Sequence, residues 1–345
     1  MKGLWSVLLV CLVLTSIDAH ASEGGDKKTF CVFDVAGAGG FVYRTLQDYH
    51  RKALMAGVAM TMKPYTDEDR AVADFRQGLC DLVAVTDMGV RRFNSFSGSI
   101  SAIGAVPYYE DLRVLLHILS SPRVADHLEE DGYQVLGVAP MGAAYLFVND
   151  RSIDHVDALK DKRITVFEGH YDARHMVEYV GAVPVDARIS NFARLFNTGE
   201  ADISYAPAAA YEVLEMFRGM GESGGIVRYP VGQVTVQLVA RSGTFSEAFV
   251  RKSRKIMSRL YPEAMRIVRQ YENAIPAERW IEISPKAMRG YQEMLREVRI
   301  DMQASPESSG MLAAGVYDDD MMTILRKVRC YTNPGAVECS ADNRE

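Results

Sequence analysis

Four small residues, Gly37-Ala38-Gly39-Gly40, stand between an apolar run and a helical pattern, where the N–H groups of a helix start could hold an anion. The stretch lacks the G-x-G-x-x-G spacing and no Walker lysine follows, so no nucleotide is expected. Two readings stay open: a backbone that a ligand approaches closely, or a tight strand-to-helix crossing. Arg91 and Arg92 follow Asp87-Met88-Gly89 just past a predicted strand, the end at which open α/β sheets bind ligands. A forked guanidinium there could clamp a carboxylate, or simply be solvated. His170 and His175 lie five apart, not the i, i+4 spacing that puts two imidazoles on one helix face, and His155 beside Asp154 reads as a solvated loop histidine. There is no G-x-S-x-G, S-x-x-K or H-E-x-x-H, and nothing marks a pair of catalytic carboxylates. Asp318-Asp319-Asp320 lacks an EF-hand spacing and reads as acidic dressing of a helix start. The sequence therefore predicts no catalytic residue, no metal and no cofactor.

The elements that must position these residues alternate between short apolar runs and longer helical ones. Phe30–Val35 reads as a buried strand, followed by a helix from about Phe41 to Ala56 and a strand over Ala59–Tyr65. Thr66 is the expected N-cap of the next helix, with Asp67, Glu68 and Asp69 in its first turn. Asp81–Val85 is a third strand. Later strands are expected at Val135–Ala139, Ala144–Val148, Arg163–Val166, Val183–Val185, Asp202–Tyr205 and Gly232–Ala240. Helices are expected at Asp172–Val180, over Phe192–Phe196 capped by Ser190, at Ala208–Gly219, and through the C-terminal third at Ser246–Tyr261, Pro262–Ile275 and Pro285–Gln303. Strand–helix alternation argues for parallel βαβ units and an α/β fold.

The chain has 345 residues and a net charge of −6, which argues against nucleic acid as a partner. Lys2, an apolar run Leu4–Leu14 and an Ala19-x-Ala21 site read as a signal peptide cleaved after Ala21. That run is shorter than the roughly 20 apolar residues a bilayer span needs, and no later run is long and apolar enough. Cys11 lies inside the run after the bulky Val10, which does not fit a lipoprotein signal. Export leaves four cysteines for an oxidising compartment. Cys31 and Cys80 each open a strand-like run, and Cys330 and Cys339 flank a turn sequence. The favoured pairing is therefore Cys31–Cys80 with Cys330–Cys339, the alternative being free buried thiols. No CxxC spacing suggests zinc.

Several spaced segments together resemble the DctP-like solute-binding proteins of TRAP transporters. They are Val72–Val83, with its Gly78 and Asp81; Ala105–Asp111, with Pro107-Tyr108-Tyr109; Asp157–Val166; Val180–Val185, with Gly181-Ala182-Val183-Pro184-Val185; and Asn191–Asp202. The likeness runs over roughly residues 30 to 300. The chain also looks like a divergent AdeT-like branch whose members have been labelled efflux-associated; a chain without a membrane span is not itself a pump.

This resemblance implies a two-lobed periplasmic-binding-protein fold (type II, TRAP-like) with hinge strands and C-terminal helices. The implied division is 22–139 as lobe I, completed by about 237–275, then 140–236 as lobe II, 276–339 as bracing helices and 340–345 as a disordered tail. Function is implied as periplasmic binding of a small solute for delivery to membrane transporter subunits, by a monomer. The alternative is a sensor or interaction protein on the same fold, with an efflux-associated accessory role included. The family's ligand-clamping arginine falls at Thr165, leaving Arg174, Arg91 or Arg92 to compensate. Cleft candidates at strand ends are Asp34, Tyr43, Thr86, Arg91, Tyr145, Thr165, Glu168, Arg174, Tyr205 and Gln233.

Overall fold

A computed structural model describes residues 27–304 and 316–340. The expected signal peptide, and the tail from residue 341, lie outside the described residues. The strands are β1 (Lys28–Phe33), β2 (Met60–Tyr65), β3 (Leu82–Thr86), β4 (Glu129–Glu130) and β5 (Tyr133–Val148), then β6 (Arg163–Phe167), β7 (Val183–Ala187), β8 (Ile203–Pro207), β9 (Gly225–Arg241) and β10 (Trp280–Ile281). They form one sheet in the order β2-β1-β3-β9-β5-β8-β6-β7, with β10 on β9 and β4 on β5.

Pairing divides the sheet into two parallel ends and an antiparallel middle. β1 runs parallel to β2 and β3, and β6 runs parallel to β7 and β8. The long β5 and β9 run antiparallel to each other and reach both ends: β9 pairs β3 through Val236–Ala240, and β5 pairs β8 through Ala144–Val148.

The two-residue repeat of a strand explains the layering. Phe30 and Val32 of β1, with Leu82 and Ala84 of β3, face a core shared with the helices Phe41–Met55 and Glu247–Ser258. Their neighbours Cys31, Phe33, Val83 and Val85 face a second core that holds Phe75 of the helix Glu68–Arg76. Cys31 and Cys80 are joined in that second core, and Cys330 and Cys339 close a short loop after the helix Asp319–Thr332.

Four local expectations need correction. Asp67, not Thr66, caps its helix, accepting from Arg70 N at 2.9 Å. Val135–Ala139 and Ala144–Val148 are one strand; register shifts around Pro140 and Gly142 absorb what looked like a break. Asn191 rather than Ser190 precedes the helix Phe192–Asn197, with no side-chain cap. The segment Ala208–Gly219 forms two short helices, Ala210–Val213 and Phe217–Met220, parted by Glu215 at φ +53°. Asp318 caps its helix by accepting from Met321 N.

Candidate functional site

The carboxyl ends of four parallel strands meet the middle of the two long ones around a cavity of about 180 Å³. Asp34 follows β1, Thr86 and Asp87 straddle the end of β3, Phe167 ends β6, and Tyr205 lies near the end of β8. Met141 and Leu146 of β5 and Gly232 and Gln233 of β9 complete the wall. The walls are mostly apolar, and no lysine or arginine lines the cavity among the described residues.

Asp34 caps the helix Phe41–Met55 from outside it. Its Oδ1 accepts from Ala36 N at 2.9 Å and its Oδ2 from Tyr43 N at 3.1 Å. A carboxylate at a helix start is favoured by the helix dipole. Gly40 makes room for it: a Cβ there would sit 1.8 Å from Asp34 Oδ1. Burial still raises the Asp34 pKa, with those backbone bonds opposing. At Gly40 the group that comes close is the chain's own Asp34 carboxylate, as in a tight strand-to-helix crossing.

Asp87 is 1% exposed. Its Oδ1 accepts from Met88 N at 3.1 Å, and its Oδ2 from Thr235 N at 3.1 Å and Thr235 Oγ1 at 3.4 Å. Burial outweighs these bonds and raises its pKa to about 7. Thr86 caps a short helix by accepting from Gly89 N at 3.1 Å, and its own N donates to the buried Glu68 at 2.6 Å. Gln233 is 3% exposed, and neither the nitrogen nor the oxygen of its side-chain amide has a hydrogen-bond partner among the described residues. A native structure does not normally leave a buried amide so.

Beside the cavity lies a polar knot centred on Asp172, which is fully buried. Its Oδ2 accepts from Tyr317 Oη at 2.7 Å, Arg91 Nη2 at 3.3 Å and Ile103 N at 3.3 Å. Its Oδ1 lies 3.3 Å from His170 Nε2. Burial alone would raise the Asp172 pKa; the charges of Arg91 and His170 and the two side-chain hydrogen bonds reverse that and hold it well below the usual range. Burial lowers His170 to about 4 against the pull of Asp172. His170 Nδ1 pairs with Tyr205 Oη at 2.8 Å, linking the knot to the cavity wall.

The ten candidate residues fall in three groups. Asp34, Thr86, Tyr205 and Gln233 line the cavity. Arg91 and Glu168 line an adjoining outer cleft of about 560 Å³. The other four lie outside both. Tyr43 packs in the core under its helix. Tyr145 donates to Glu272 at 2.8 Å, as does Tyr109 at 2.5 Å. Thr165 bonds Ser204 at 2.7 Å in the interior. Arg174 is ion-paired with Asp186 at the surface. Arg92, the other suggested compensator, pairs with Asp69 at 3.2 Å in the outer cleft. Sequence reasoning passed over Asp87, His170, Asp172 and Tyr317 as site residues. The one available signal was Asp87, an acid placed directly after an apolar strand.

A family described as "Solute-binding protein AdeT 1/2" matches residues 50–344. An Acinetobacter baumannii protein named "Probable solute-binding protein AdeT1" is 33% identical over 312 residues, covering 90% of this chain and 100% of the relative. A second from that organism, "Probable solute-binding protein AdeT2", is 25% identical over 242 residues, 70% of this chain and 98% of its own. Among solved structures, a TRAP periplasmic solute-binding protein from Ralstonia eutropha H16 with bound (S)-2-acetolactate superposes with a TM-score of 0.69 at 12% identity, covering 88% of this chain and 99% of that one. One from Shewanella oneidensis with bound succinate gives 0.67 at 12% identity, with 88% and 98% covered.

Proposed function

Because this chain belongs to the AdeT 1/2 family of solute-binding proteins, we propose that it captures a small solute in the cavity at the strand ends and hands it to membrane transporter subunits. It is a periplasmic solute-binding protein with the fold of the TRAP receptors, and a binder rather than a catalyst. The observation that carries the placement of the solute is the unpaired amide of Gln233, buried in the wall of a mostly apolar cavity where four strands end. A bound solute gives that amide the donor and acceptor it lacks.

Asp34, Thr86, Tyr205 and Gln233 are then the ligand-facing candidates, with Arg91 and Glu168 at the entrance. The chain works as two lobes, with boundaries near residues 139 and 236, and β5 and β9 serve as the hinge because β9 pairs with β3 of one parallel end, β5 with β8 of the other, and the two strands pair with each other. Secretion through a leader cleaved after Ala21 and a monomeric receptor complete the reading. The structural relatives named above hold carboxylates; here Thr165 is bonded to Ser204 and Arg174 to Asp186, so neither is free to clamp one.

Native mass spectrometry of the purified mature protein, followed by a thermal-shift screen of organic acids, amino acids, sugars and aromatic compounds, tests the capture step. A small molecule that co-purifies, or that raises Tm in proportion to the logarithm of its concentration, supports it. A protein that carries nothing and responds to no compound class contradicts it.

A further inference from the structure

The charges around the cavity do not balance. In the outer cleft each arginine already faces a carboxylate: Arg91 faces Asp172 at 3.3 Å, Arg92 faces Asp69 at 3.2 Å and Arg188 faces Glu168 at 3.0 Å. Asp67, Glu68 and Glu130 line the same cleft in excess of them. Inside, Asp34 and Asp87 line the cavity, and neither is in an ion pair among the described residues. The helix start that could have received an anionic ligand is occupied by Asp34 itself. Arg91 keeps one nitrogen, Nη1, without a partner among the described residues, but its charge is matched by Asp172 and it lines the outer cleft, not the cavity.

An organic anion entering this cavity would meet two buried carboxyl groups and, among the described residues, no lysine or arginine, a desolvation penalty with no Coulombic return. A cation meets the reverse. A carboxylate offers about four lone-pair sites; Asp34 uses two and Asp87 three on protein donors, which leaves each able to accept from a ligand. Gln233 Oε1 is a further free acceptor, and the apolar walls suit a hydrocarbon body. We infer that the solute is an organic cation: a small molecule with an apolar body and a protonated amino group that is held by Asp34, Asp87 and Gln233. This rests on the solute-binding reading and narrows it.

The experiment compares an amine, an alcohol and a carboxylate on each of two skeletons, one aromatic and one aliphatic. The aromatic probes are 2-phenylethylamine, 2-phenylethanol and 3-phenylpropionate; the aliphatic ones are hexylamine, hexanol and hexanoate. Kd for the mature wild-type chain is measured by calorimetry and checked by thermal shift. On at least one skeleton the amine is expected to bind at least tenfold more tightly than the alcohol, and the carboxylate not at all. In Asp87→Asn the amine-to-alcohol affinity ratio is expected to fall about tenfold; the ratio is read within one preparation, so it does not depend on the variant's yield. Binding of the carboxylate, or equal binding of alcohol and amine, on both skeletons overturns the cation assignment and leaves the solute-binding reading standing. No response to any of the six probes, while the broader screen finds a non-amine ligand, also overturns the assignment. No response in either experiment removes both.

Discussion

Asp87 and Asp172 are equally withdrawn from solvent, 1% and 0% exposed, yet their surroundings push them in opposite directions. Asp87 lines the cavity, accepts only from backbone and a threonine, and has its pKa raised to about 7 by burial. Asp172 sits in the neighbouring knot, where burial acts the same way but Arg91, His170 and Tyr317 overcome it and keep it ionised. The difference lies in who supplies the partner. In the knot the protein supplies it, which makes Asp172 an anchor between the helix Tyr171–Tyr179, the helix Asp87–Val90 that ends beside Arg91, and Tyr317. In the cavity no lysine or arginine pairs with Asp87 among the described residues, and on the proposed reading the ligand supplies the partner.

Replacing Asp172 by alanine breaks the comparison most severely. It strands the Arg91 guanidinium and the Tyr317 hydroxyl in the interior, and breaking a buried pair by removing one partner costs about 3–5 kcal/mol. Urea unfolding of Asp172→Ala should show that loss; a change under ~1 kcal/mol would mean that the knot is not an anchor.

The pH dependence comes next. Asp87 has a folded pKa raised from 3.8 to about 7. Its protonated form is favoured by folding, so its contribution is fully present below about pH 4 and is lost as pH rises through 7. Asp172 has a lowered folded pKa, so its contribution is present above the ordinary carboxylate range and is lost as pH falls below it. Between pH 4 and 7.5 the Asp87 component alone separates wild type from Asp87→Asn. The stability of wild type relative to this variant should fall across that window by an amount on the order of 3–4 kcal/mol. A difference that stays constant with pH would show that Asp87 is not protonated by its burial.

Gly40→Ala probes the self-capped helix start. The new Cβ must displace the Asp34 carboxylate, an overpacking and uncapping effect of about 1–3 kcal/mol. Thermal unfolding in the absence of ligand measures it, and an unchanged Tm would contradict the close approach. The smallest effect belongs to Arg188→Ala. Its partner Glu168 is exposed, as is Arg188, so the stability change should stay within ~0.5 kcal/mol. A larger loss would show that the outer pairs, too, are structural.

The fold was legible because its signals are local and periodic. Continuous apolar runs in Lys28–Phe33 and Leu82–Thr86, and the helical spacing over Phe41–Met55, set the βαβ unit and place Asp34 and Thr86 at strand ends. The long strands were less legible. Pro140 and Gly142 look like breakers, but pairing with Thr235 and Val234 of β9 carries β5 through them. The site was legible only in part, because side-chain partners are set by tertiary contacts that no spacing encodes. Arg91 and Asp172 are 81 residues apart, and Tyr317 reaches Asp172 across 145. Arg174 and Thr165 were natural candidates by position, but each satisfies a neighbour on its own side of the sheet. Gln233 was found by its place in a strand; that it lacks a partner could be learned only from the folded chain.

The most direct test is a crystal structure of the mature protein grown with 2-phenylethylamine. The account predicts the ring among the apolar walls beside Met141 and Leu146 and the ammonium nitrogen within hydrogen-bond distance of Asp34, Asp87 or Gln233. A cavity left empty by both 2-phenylethylamine and hexylamine at saturation, or the amine seated only in the outer cleft beside Glu168, would contradict it.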